Sequence, residues 1–233
     1  MPSKRYKKAL ELVDLSKTYS LKGAIDIIVK FPKAKFNETV DLAFHLGVDP
    51  KQSDQMVRGT VPLPHGTGKT IRVLVFAKDT NAADAARAAG AEFVGYDDMI
   101  KKCQEGWTDF DVAVATPDAM GEVRKLGKVL GPRGLMPNPK TGTVTEDVAK
   151  AVKEVKAGRV EFKVDKGANV HVAVGKVSFT PIQLAENARV VIETLVRSRP
   201  SSVKGHFIES CTLSATMSPP VAVDLKELGA AVV

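Results

Sequence analysis

What most constrains the fold is a change of hydrophobic period that happens twice along the chain. Over residues 39–46, Val40, Leu42, Phe44 and Leu46 face one way and Thr39, Asp41, Ala43 and His45 the other, the pattern of a half-buried strand. The middle of the chain reads differently. Continuous apolar strands at 71–77, 93–95 and 111–115 alternate with helices at 81–89, 97–104 and 117–126, which predicts a parallel sheet covered by helices. Alternation returns at 160–164, 169–175 and 207–215, with a further short strand near 221. A long helix over 180–198 interrupts it, with Leu184, Ala188, Val191 and Leu195 as its buried stripe. Helices at 4–14 and 21–31 and a strand at 55–63 complete the first flank.

Neither flank alone holds a convincing core. Joined, they make a discontinuous two-layer α+β domain (residues 1–67 plus 159–233), and the middle makes an inserted three-layer α/β, Rossmann-like domain (68–158). A chain of 233 residues suits two such domains. Residues 126–144 hold four glycines and three prolines, so regular structure is nearly excluded there. Apolar Val129, Leu130, Leu135 and Met136 alternate in it with basic Lys128, Arg133 and Lys140. It reads as an ordered, packed loop rather than a linker. A helix over 145–156, capped by Thr145 and closed by Gly158, should follow.

The net charge of +7 becomes informative when divided. Residues 68–158 carry 14 Lys and Arg against 13 Asp and Glu, and the flanks carry the other 20 and 14. Nearly all the positive excess lies in the flanks, which suits an anionic partner such as nucleic acid; the plainer alternative is a solubilising surface. No apolar run is long enough to span a membrane, and no apolar segment follows the basic N-terminus as a secretory signal requires. Cys103 and Cys211 are far apart and form no metal or redox pair, so they read as buried free thiols in a reducing cytosol.

Several motifs fail on inspection. Gly66-Thr-Gly-Lys-Thr lacks the first glycine of a phosphate loop, Leu63 standing in its place, and a strand follows it where a helix is needed. Gly131-Pro-Arg-Gly134 has the glycine spacing of an RNA-clamping loop but sits in too long and proline-rich a connection. The four histidines show no metal spacing, no serine stands in a nucleophile elbow, and no G-x-G-x-x-G follows the first strand of the middle block. No catalytic residue, metal or cofactor is therefore assigned. Two stretches remain in the basic flanks: Lys33-Ala-Lys-Phe-Asn-Glu-Thr and Ser210-Cys-Thr-Leu-Ser-Ala-Thr-Met-Ser-Pro-Pro. Lysines can neutralise phosphate, hydroxyls can read RNA 2′-hydroxyls, and Phe36 or Met217 can pack on a base or sugar. Alternatively, Phe36 and Met217 are core residues at strand ends.

With these pieces assembled the chain resembles the bacterial ribosomal protein L-one family, the stalk proteins of the large subunit, from the first helix to Val223. The most specific points are Lys125-Leu-Gly-Lys-Val-Leu-Gly-Pro-Arg-Gly-Leu-Met-Pro-Asn-Pro-Lys, Lys35-Phe36 with Thr216-Met217, Gly158-Arg-Val-Glu-Phe-Lys and Val174-Gly-Lys-Val-Ser-Phe. The resemblance implies the same two-domain plan on a two-stranded hinge. It also implies partners: a large-subunit rRNA stalk, exit-site tRNA, and the protein's own operon mRNA, bound as a repressor. A cytoplasmic, ribosome-associated protein with no membrane partner, monomeric when free, follows from it. The RNA-facing positions it implies are Lys35, Phe36, Thr39, Ser210, Thr216, Met217 and Ser218, with Asp26, His45 and Lys166. Ser218 is a departure, since many members have glycine there. The competing classes are an RNA-binding regulator that never joins a ribosome and an enzyme using the inserted domain.

Overall fold

The computed structural model describes residues 3–203 and 205–225. Met1, Pro2, Lys204 and residues 226–233, all assigned above to the terminal domain, lie outside the described residues, as does the side chain of Lys140. The first stretch forms α1 (Lys4–Leu10), α2 (Leu21–Lys30), β1 (Thr39–Leu46) and β2 (Arg58–Pro62). The middle forms β3 (Val73–Phe76), α3 (Thr80–Ala88), β4 (Phe93–Gly95), α4 (Asp97–Gln104), β5 (Val112–Ala115), two short helices α5 (Met120–Val123) and α6 (Gly127–Leu130), and α7 (Val148–Lys156). The last stretch forms β6 (Arg159–Lys163), β7 (Asn169–Lys176), α8 (Pro181–Arg197), β8 (Ile208–Ala215) and β9 (Val221–Val223). Among the described residues, those up to 68 and those from 160 onward form one compact unit, and residues 69–159 a second.

In the first unit, β7, β1, β8 and β9 make an antiparallel sheet in that order. Alternation buries Val40, Leu42, Phe44 and Leu46 of β1 on one face, where α2 and α8 cover them through Ile25, Ile28, Leu184 and Leu195. The helix α8 forms where the stripe predicts it. Thr180 and Gln183 close a capping box ahead of Pro181, which satisfies donors that the first turn leaves over. The uncovered face carries Asp41, Ala43 and His45 beside Ser214, Thr212 and Ser210 of β8. The strand β6 departs from the expected run of antiparallel strands with β7: it pairs with β2 in a separate two-stranded sheet. Asn187, fully buried on α8, binds the segment after β2, accepting from His65 N–H at 3.1 Å and donating to the Gly66 and Val174 carbonyls at 3.1 and 2.8 Å. Nearby, Gly68 adopts φ +69°, and an added Cβ would meet the Phe179 ring at 2.8 Å. The glycines of the would-be phosphate loop thus serve a turn and a close packing contact.

In the second unit, β4, β3 and β5 form a parallel sheet with an apolar layer on each face. One layer joins Val73, Val75 and Val114 to α3 and α7; the other joins Leu74, Phe76 and Ala113 to α4 and to residues 119–130. The expected single helix over 117–126 is instead a series of short α and 3-10 turns running on through α6. That winding brings Ala119, Val123, Leu126 and Leu130 to one apolar face. The Gly/Pro loop accordingly starts with a helical turn, and Leu135 and Met136 pack on the same layer. Its end lies along β5: Ala115 N–H donates to the Thr143 carbonyl at 2.9 Å and Thr145 N–H to the Ala115 carbonyl at 3.2 Å. Held there, Thr145 cannot cap α7. Asp147 does so, accepting from Lys150 N–H at 3.0 Å.

Both cysteines are free and buried, and burial pushes the Cys211 thiol up to about 12. Native protein at pH 8 is therefore expected to take up almost no thiol-alkylating reagent, and denatured protein two equivalents. Rapid labelling of Cys211 in the native protein would show that β8 opens readily, and of Cys103 that α4 does. No helix among the described residues is long and apolar enough to cross a membrane.

Candidate nucleic-acid interface

The loop from Phe31 to Glu38 and the loop after Ala215 meet at one end of the antiparallel sheet, because β1 and β8 run side by side with Val40 opposite Ala215. Thr216 N–H donates to the Thr39 carbonyl at 3.0 Å, and the Thr216 hydroxyl accepts from Thr39 N–H at 3.0 Å. The strand pair is thereby extended by one rung. Lys176, next in line on β7, donates from Nζ to the Thr39 hydroxyl at 2.7 Å.

Beneath these loops lies Glu38, only 4% exposed. Its Oε1 accepts from Ala34 N–H at 2.8 Å and its Oε2 from Met217 N–H at 3.0 Å, so one carboxylate holds both loops. Arg5 of α1 completes the joint. Its guanidinium pairs with Glu38 Oε1 at 3.2 Å and donates to the Pro32 and Met217 carbonyls at 3.1 and 2.8 Å. A buried carboxylate is costly unless paired and hydrogen-bonded; here both conditions are met. Beyond this joint the loops present Phe36 and Met217, each 53% exposed, beside exposed Lys33 and Lys35. No ion pair among the described residues engages either lysine. The core alternative for Phe36 and Met217 therefore does not hold: the backbone of Met217 is tied down while its side chain faces solvent.

Two hydroxyls are committed locally. That of Thr216 also lies 3.3 Å from the Thr39 carbonyl. That of Ser218 accepts from Ala215 N–H at 2.9 Å and lies 3.0 Å from the Pro219 carbonyl. Ser218 thus closes its turn with its own side chain, which is how a serine fits where a glycine would serve.

Six of the sequence-derived positions gather at this end: Lys35, Phe36, Thr39, Thr216, Met217 and Ser218. His45 and Ser210 oppose each other at the far end of β1, about 20 Å away at ~3.3 Å per residue. Here His45 Nδ1 meets Asn169 Oδ1 at 2.9 Å and Nε2 lies 3.3 Å from Glu209. Lys166 is exposed in the adjoining turn before β7. In that turn, bonds from the Asn169 and Gly167 N–H groups hold the Asp165 carboxyl below its usual range. Asp26 stands on the solvent side of α2, the layer over the opposite face of the sheet. On the open face itself, burial holds the Asp41 carboxyl above its ordinary value, against the pull of Lys176 and His171. Glu38 and Arg5 are the positions that reading the sequence missed. The available signal was a lone acid set between Lys33, Lys35 and a strand.

A comparison with protein families matches residues 28–219 to the model described as the Ribosomal protein L1p/L10e family. The match takes in both ends of the open sheet, and it begins after α1.

Proposed function

We propose a function from one premise: the chain belongs to the Ribosomal protein L1p/L10e family, whose model matches far more than half of it. It is thus a ribosomal RNA-binding protein of a structural, non-enzymatic family, associated with the ribosome and with large-subunit rRNA. In our reading, the discontinuous domain of residues 1–67 and 159–233 grips the rRNA stalk, while the inserted domain of 68–158 adds lesser contacts. The bound protein forms the mobile stalk that assists release of exit-site tRNA. Free protein represses translation by binding its own operon mRNA, which mimics the rRNA site.

The observation that carries this reading is the pair of loops fixed to one buried carboxylate, with Phe36, Met217, Lys33 and Lys35 projecting from them. Aromatic and thioether side chains pack on splayed bases or sugars, and lysines neutralise phosphate. Loops already hydrogen-bonded into place lose less entropy on binding. Sedimentation of the tagged full-length chain in cell extract tests it: the protein should travel with the large subunit and bind a transcribed large-subunit rRNA fragment. Migration only at the top of the gradient would leave an RNA-binding regulator off the ribosome.

Salt should weaken binding moderately. Three to five phosphate contacts at about 0.7–0.9 each give a log–log slope between about −2 and −5. A slope steeper than about −7 would mean that phosphate neutralisation dominates and that packing on Phe36 and Met217 is minor.

A further inference from the structure

The family match leaves out α1, and the structure gives this helix an unexpected attachment. Arg5 bonds to Pro32, Glu38 and Met217, so α1 is fixed to both loops of the candidate interface at once. The helix has two distinct sides. Tyr6, Ala9 and Leu10 turn inward, Ala9 being buried. Arg5 stands at the margin of that inward stripe, next to the loops. At about 100° per residue, Lys8 follows Arg5 by roughly 60° around the axis and Lys4 by roughly 100°, both away from the core. Both are exposed, and no ion pair among the described residues engages them. They add two uncompensated charges to those of Lys33 and Lys35, on a helix that Arg5 fastens to the same loops.

We propose that α1 is an arm of the RNA interface, with Lys4 and Lys8 supplying phosphate contacts and Arg5 positioning the helix that carries them. This rests on the RNA-gripping role of the loops proposed above. The partner is an RNA backbone because the surface offers compact, mobile ammonium groups beside packing side chains. A protein partner would need acidic groups matched to each lysine; a phosphate backbone, charged at every step, meets them without such matching.

The test is the salt dependence of binding by the full-length chain to a transcribed large-subunit rRNA fragment. K4A/K8A should flatten the log–log slope by about 1.5, at about 0.7–0.9 for each lysine, and weaken binding about tenfold or more at low salt. K4R/K8R should restore the slope, and K101A/K102A, on α4 of the other unit, should leave it unchanged. Thermal unfolding of K4A/K8A should match the parent, since neither exposed lysine forms an ion pair among the described residues. An unaltered slope in K4A/K8A, with the parent binding well, overturns the inference and spares the role of the loops. Failure of the parent to bind removes that role and this inference together.

Discussion

Replacing Glu38 by alanine is expected to lower the free energy of unfolding by about 3–5 kcal/mol and to weaken rRNA binding at least tenfold. Removing one partner of a buried ion pair typically costs about 3–5 kcal/mol, because the other charge stays behind. Arg5 keeps 27% of its side chain exposed, so water recovers part of its solvation and the lower end applies to the pair itself. Two further donors, Ala34 N–H and Met217 N–H, lose their acceptor, each worth about 1 kcal/mol. Binding suffers for a separate reason. Without the carboxylate the two loops no longer share an anchor, and ordering them falls to the RNA, at about 0.5–1.5 kcal/mol for each side chain immobilised.

The conservative change separates these effects. Glu38→Gln keeps one acceptor oxygen, so it can hold one loop but not both, and it strips Arg5 of its counter-charge. It should fall between the parent and Glu38→Ala in stability and in affinity. Glu11→Ala, an exposed acid just after α1, controls for the change in net charge. Equal affinity of Glu38→Ala and the parent, measured well below the unfolding temperature, would show that the loops need no common anchor.

How much of this was legible in the sequence depends on whether a feature is local. The strand β1 and helix α8 announce themselves, because period 2 and period 3.6 each leave one apolar face. The partner of β6 does not: alternation tells which face is buried, never which edge it meets, so pairing with β2 was invisible. The start of α7 is ambiguous in the sequence for a related reason. Thr145 and Asp147 are both acceptable caps, and only the bonds to Ala115 on a distant strand decide between them. The site divides in the same way. Lys35, Phe36, Thr216 and Met217 stand out as short motifs of suggestive composition. Glu38 and Arg5 are 33 residues apart and look like ordinary charges until the fold joins them. His45, Ser210 and Lys166 carry equally suggestive chemistry, yet a strand's length separates them from the loops.

The sharpest separation between binding and folding is expected at Phe36 and Met217. Each is about half exposed, so alanine removes little buried apolar area, and the melting temperature should scarcely move in either single variant. If each side chain packs on a base or sugar, alanine should cost about 1–3 kcal/mol of rRNA affinity, the usual worth of one stacked or packed base. The two stand on loops tied to the same carboxylate, so the double variant should depart from simple additivity if they grip one nucleotide and add if they grip two. Thr216→Ala serves as the contrast. Its hydroxyl bonds Thr39 N–H within the protein, so it should lose stability as well as affinity, by about 1 kcal/mol. Affinity beside thermal unfolding for all four variants decides the matter. Should Met217→Ala and Phe36→Ala bind rRNA as the parent does, the loops are braced for another purpose and the RNA must lie elsewhere on the terminal unit.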